Sequence, residues 1–260
     1  MTPIHRAAFA VALHALAQPS YAQWQADIGL SARSVTHTDS DPGGARLVRE
    51  SGWLPGVALQ AGYTAGKLTW LIGAEGYRGD IDYRGRTQAG VGAASTTATG
   101  LGTVSIGARH ALARGVAVLA AVEAEHWRRE IRGTAGAAGL QERYRTRRLV
   151  VGADHTWQPA MGTVTLDAAA LLAAPERLRV GFSGLLDPAA LTTRRGHGVR
   201  LGTTVHPAFA PRLALRARYD WSKTPRSAEA PLTANGRFVG TVAQPEHERQ
   251  AFTLTLSTPF

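Results

Sequence analysis

Ala251-Phe-Thr-Leu-Thr-Leu-Ser-Thr-Pro-Phe260 is the stretch from which the fold can be read. Phe252, Leu254 and Leu256 alternate with Thr253, Thr255 and Ser257. Successive side chains of an extended strand point to opposite faces, so this segment has one oily and one polar face. Pro259 falls where strand pairing would end, a place that tolerates the missing N–H. The same period-two alternation recurs at 24–31, 57–63, 68–75, 104–109, 116–125, 148–154, 163–172, 199–205 and 213–220. With the last segment this predicts ten strands.

The connections alternate in length. Short ones fall at 64–67, 111–115, 158–162 and 206–212; long ones at 38–46, 83–95, 133–143, 175–190 and 223–246. An even number of strands joined by short turns at one end and long loops at the other is the pattern of an outer-membrane barrel. No run of ~18 apolar residues follows the N-terminus, which excludes a helical membrane span. Trp24, Trp70 and Trp157 fall at one set of strand ends and Trp53, Trp127 and Trp221 at the other, as two interfacial girdles would require. The fold class expected is therefore all-β: a ten-stranded antiparallel transmembrane barrel over residues 23–260, monomeric, in the cell outer membrane. Residues 1–22 read as a signal peptide, with Arg6, an apolar stretch from Ala7 to Ala17, and small residues at Ser20 and Ala22 ahead of a cut before Gln23. The last strand, ending in Phe260, resembles the assembly signal of bacterial outer-membrane barrels. That resemblance implies the barrel-assembly machinery as a partner.

Charge narrows the function. The chain has 29 Lys+Arg against 19 Asp+Glu, a net +10, and no Cys. The missing Cys rules out a disulfide scaffold, thiolate zinc sites and a cysteine nucleophile. The polar strand faces carry Asp27, Glu75, Glu123, Glu125, Asp154, Asp167 and Asp220 against Arg33, Arg109, Arg148, Arg200, Arg216, Arg218 and Arg249. Such a balanced set predicts a lumen closed by ion pairs. The surplus of positive charge gathers at the loop end. Arg128, Arg129, Arg132, Arg143, Arg145 and Arg147 flank one loop, with Arg84, Arg86, Arg177, Arg179, Arg194 and Arg195 at the same end. Arginine's planar fork suits phosphate, so lipopolysaccharide or an anionic glycan is the expected ligand class. Nucleic acid is not expected on a membrane-embedded chain. Nucleophile-elbow, metalloprotease and dinucleotide patterns all fail, and neither metal nor cofactor is expected.

Two local stretches carry a family resemblance: Ala26-Asp-Ile-Gly-Leu30, and Gly73-Ala-Glu-Gly-Tyr77 leading into Asp80-Ile-Asp82-Tyr83. With ten strands and a signal peptide, the chain resembles the omptin family of outer-membrane proteases. The resemblance implies Asp80 and Asp82 as catalytic candidates. It also implies an Asp/His pair above the seventh strand, where this chain reads Val180-Gly-Phe-Ser-Gly-Leu-Leu-Asp187-Pro188 with no His. The chain also resembles the opacity-type adhesins in size and in its basic loops. The leading expectation is a non-enzymatic surface barrel, an adhesin or envelope-polysaccharide accessory, whose basic loops bind lipopolysaccharide or an anionic polysaccharide. An omptin-like protease with an altered active site is the alternative, and a narrow solute channel the third.

Overall fold

Ten long strands close into a ring. The computed structural model describes residues 22–86, 91–134 and 138–260. Its strands are β1 (Ala22–Ser40), β2 (Arg46–Ala65), β3 (Leu68–Arg86), β4 (Gly92–Ala113), β5 (Val116–Ile131), β6 (Leu140–Trp157) and β7 (Gly162–Ala173). They continue as β8 (Arg177–Gly181), β9 (Ala189–Thr192), β10 (Gly196–Pro207), β11 (Ala214–Thr224), β12 (Ala230–Ala234), β13 (Arg237–Val242) and β14 (Glu246–Pro259). Neighbours around the ring are β1, β2, β3, β4, β5, β6, β7, β10, β11 and β14, and β14 returns to β1. All pairings are antiparallel, and closure leaves the ring itself no free edge. The ten predicted strands are these ten. Residues 1–21, which carry most of the signal-peptide expectation, lie outside the described residues.

Turn chemistry fixes the periplasmic end. Arg114 and Gly115 both have positive φ, 48° and 79°, and join Ala113 directly to its partner Val116. That is the two-residue turn whose twist matches a hairpin. At the other end the strands run on where long loops were expected. β3 continues to Arg86 and β4 begins at Gly92, so the expected loop at 83–95 is mostly paired strand. The cause is a reversal of polarity. Trp70, Ile72, Val104, Ile106, Val118 and Val122 point outward and exposed, an apolar belt for lipid. Farther up, Leu54, Tyr77, Ile81 and Leu101 point inward and are buried, while Arg78, Asp80 and Asp82 take the outer face. Above the membrane the outer wall meets water, so the apolar side chains turn to the interior.

The girdles set the belt's height. Trp53 pairs with Ser34, ten residues along β1 from Trp24. At ~3.3 Å per residue and ~40° of tilt that span is about 25 Å, the height of an outer-membrane apolar band. Trp24, Trp53 and Trp70 are each more than half exposed on the outer face. Trp127 departs from the expected girdle. It points into the lumen, 1% exposed, because it lies on the inward face of β5 in register with Glu123 and Glu125.

Two extracellular hairpins cover the mouth. β8 continues the wall by pairing with the top of β6, and β9 pairs with β8. β12 and β13 form a separate ribbon turning at Asn235-Gly236, with β12 against β9. Thr233 Oγ1 and the Gly236 N–H both donate to the Asp187 carboxylate, at 2.7 and 2.9 Å, which ties the two hairpins together.

Candidate polyanion-binding rim and the closed lumen

The lumen is filled by charge pairs at mid-height. Arg148 donates to Glu123 at 2.8 Å and to Glu125 at 2.5 Å, and Arg200 bridges Glu123 and Asp220 at 2.6 Å each. Arg218 grips Glu75 with two nitrogens at 2.6 and 2.7 Å, and Arg249 reaches Glu125 at 2.6 Å. Nearer the periplasm Arg109 holds Asp154 bidentately at 2.6 and 2.7 Å, and Arg216 holds Asp27 at 2.9 Å and also Gln60. Of the charged residues expected to face inward, Asp167 has no ion pair among the described residues. The central void beside Arg33, Trp127, Arg148 and Arg249 has a volume of about 20 Å³, room for a single water.

Above this layer sits an aromatic roof. Trp127 lies 5.3 Å from Tyr144 and 5.1 Å from His37, centroid to centroid, with Arg129 and Arg249 over its faces at 4.9 and 4.7 Å. Arg129, expected on the outer rim, is instead 2% exposed. It is neutralised by Glu50 at 2.6 Å and Glu142 at 2.7 Å. Its odd position on β5 shares the inward face with Trp127, whereas Arg128 points out. Arg132 is exposed but engaged, donating to Asp80 at 3.0 Å.

The remaining rim arginines assemble on the outer wall. Arg128 stands opposite Arg143 across β5 and β6, and Arg143 stands opposite Arg179 of β8. One step lower, Arg145 stands opposite His126 and Arg177. Arg147 follows on β6, and all these side chains are exposed. Among the described residues no carboxylate lies within ion-pair distance of Arg128, Arg143, Arg145, Arg147, Arg177 or Arg179. Like charges directly opposite each other on a sheet repel. The patch sits immediately above the outward-facing Val122, Leu149 and Val151, at the upper edge of the apolar belt.

Asp80 and Asp82 are both on β3, exposed on the outside of the wall, separated by the inward, buried Ile81. They lie within paired strand, and Asp80 is occupied by Arg132. Neither aspartate has a histidine contact among the described residues. His37 and Asp39, a histidine–carboxylate pair on β1, lie on the opposite side of the wall, buried in the roof. The periodicity that places Arg129 and Trp127 inward was available in the sequence, since Glu123 and Glu125 set the inward parity of β5.

No family model matches the chain, and no curated protein does. Solved outer-membrane barrels do match in fold. The outer membrane protease OmpT from Escherichia coli aligns with a TM-score of 0.53 at 8% identity, over 91% of this chain and 96% of that one. The translocator domain of the autotransporter NalP from Neisseria meningitidis aligns at 0.47 and 11% identity, over 99% and 95%. The beta domain of the Bordetella autotransporter BrkA aligns at 0.42 and 14% identity, over 90% and 99%. The fold and the lipid belt together are those of a Gram-negative outer-membrane barrel.

Proposed function

We propose that this protein is a non-enzymatic surface barrel whose outer-wall arginines bind the phosphates of lipopolysaccharide or an anionic polysaccharide. The observation that carries the reading is the ladder Arg128–Arg143–Arg179 with Arg145–Arg177 beneath it. Five exposed guanidinium groups face one another, with Arg147 next along β6 and no carboxylate within ion-pair distance among the described residues, an arrangement that an external polyanion relieves. Charge-assisted phosphate contacts are each worth about 1.5–3 kcal/mol, reduced where water screens them. The closed lumen supports binding over transport, and the outward, arginine-bound Asp80 supports binding over hydrolysis.

The folded barrel, incubated with lipopolysaccharide and with a dibasic peptide library, tests the reading against the omptin-like alternative. Retention of lipopolysaccharide with the peptides intact is the expected outcome; peptide cleavage would favour the protease. Planar-bilayer recording addresses the channel. The ion pairs across the lumen predict no steady conductance at neutral pH, and stable openings of nanosiemens scale would contradict a closed barrel.

A further inference from the structure

The roof of the lumen contains a feature that polyanion binding does not use. His37 and His247 face each other with ring centroids 5.2 Å apart, and with Trp127 and Tyr144 they close a box of four rings. Both imidazoles are at most 2% exposed. Each has one nitrogen 2.9 Å from a carboxylate oxygen, His37 from Asp39 and His247 from Glu176. The other nitrogen of each ring, Nδ1, has no partner among the described residues. A buried polar atom left without a partner is costly, so the closed box is a poised arrangement.

Asp39 and Glu176 also stand at the feet of the two hairpins, Asp39 through its carboxylate and Glu176 through its backbone. Asp39 accepts from Gln244 Nε2 at 3.3 Å. Gln244 clasps Ser227, N–H to Oγ at 2.9 Å and O to N–H at 3.0 Å, closing the base of the loop that bears β12 and β13. Glu176 clasps Thr193, donating its N–H to Oγ1 at 2.9 Å and accepting the Thr193 N–H at 3.0 Å, which closes the base of β8 and β9. The histidine pair therefore joins the feet of both hairpins over the mouth, while Asp187 joins their tips.

We propose that His37, packed against the His247 ring, is an acid-operated latch on these two hairpins. The other charges around the box are already committed. Glu50 and Glu142 are spent on Arg129, Glu125 on Arg148 and Arg249, and one oxygen of Glu176 on Arg249 and Thr146. The Tyr144 hydroxyl donates to Glu142. Protonating His37 would bury an imidazolium beside two guanidinium groups stacked on Trp127. Asp39 can serve one N–H of the ring, and the second N–H has no acceptor among the described residues. In water both would be satisfied. The open roof therefore binds more protons than the closed one, and falling pH favours opening. Opening exposes the chamber around Leu54, Ile81 and Trp127 from outside. The ion-pair layer beneath keeps the barrel shut.

Hydrogen exchange read by mass spectrometry on the folded full-length barrel, corrected for intrinsic rates and followed in half-unit steps from pH 7.5 to 4.5, tests the latch. Residues 177–192 and 226–245 should exchange at least about tenfold faster at the acid end, with a midpoint between about 5 and 6.5. The lipid-belt segments 199–205 and 252–258 should not change. His37→Gln should reduce the pH effect to less than about twofold. An acid response below pH 4.5 alone, no response, or a response that survives in the variant would each overturn the latch. If the variant does not fold, the midpoint of the wild-type curve decides: a midpoint in the histidine range supports the latch, and any other refutes it.

Discussion

Between Trp70 and Ala74, β3 points its apolar side chains outward; between Tyr77 and Ile81, the same strand points them inward. β5 does likewise, with Val118 and Val122 outward below and Trp127 and Ile131 inward above. The backbone pairing is continuous through both regions, so the switch is one of solvent. Lipid surrounds the lower wall and water the upper wall. The lower lumen can hold polar groups against an apolar exterior, whereas the upper lumen needs a core of its own. The upper region thus behaves as a small water-soluble barrel mounted on a membrane one, and the rim arginines mark the join.

If the upper region is a true core, breaking its buried charge cluster should produce the largest effect. Arg129→Met strands Glu50 and Glu142 without a cation and should cost about 3–5 kcal/mol in urea unfolding. The triple variant Arg129→Met, Glu50→Gln, Glu142→Gln should recover much of that loss, because no buried charge is then left unpaired. A loss below about 1 kcal/mol in the single variant would mean that water reaches the roof.

The two kinds of tryptophan give a sharper comparison at a comparable scale. Trp127→Ala should cost about 3–5 kcal/mol through the void it leaves. Trp53→Ala, on the lipid-facing girdle, should cost no more than about 1 kcal/mol. Equal costs would erase the distinction between the two regions.

The smallest effect belongs to the tie between the hairpin tips. The Thr233 hydroxyl and the Gly236 N–H hold the Asp187 carboxyl below its usual range. The stabilisation is therefore fully present above the unfolded carboxylate value of about 4, and is lost as pH falls through the lower folded value. Asp187→Asn should speed exchange of the β12–β13 ribbon modestly at pH 7 and leave the barrel wall unchanged. Once the pH is below that lowered folded value, the variant and the wild type should converge. This window lies beneath that of the histidine latch, so the two can be separated.

Strand number, closure and the mid-lumen ion pairs were legible in the sequence because lipid imposes one rule, apolar outward, along ten segments. The rule fails above the belt. There the outward residues of β3 are Arg78, Asp80, Asp82 and Arg84, and a reading tuned to oily outer faces ends the strand and starts a loop. Trp127 and Arg129 were misplaced for the same reason, although counting on from Glu123 gives their direction. Asn235-Gly236 is a strong two-residue hairpin signal within the long last loop and would have located β12 and β13. The ladder Arg128–Arg143–Arg179 could not be read in advance, because it depends on the register of β6 against β8. His37 and His247 lie 210 positions apart and meet only because the first and last strands close the ring.

Lipopolysaccharide binding by the rim tests the central claim most directly. Replacing Arg128, Arg143, Arg145 and Arg179 with Gln removes four outward charges and leaves the lipid belt, the lumen and the last strand untouched. The affinity of the folded barrel for lipopolysaccharide, titrated at low ionic strength, should fall by more than about tenfold in this variant, and raising salt should weaken the wild type in the same direction. Equal affinity of variant and wild type at low salt would show that the ladder is only a solvated face and would contradict the account.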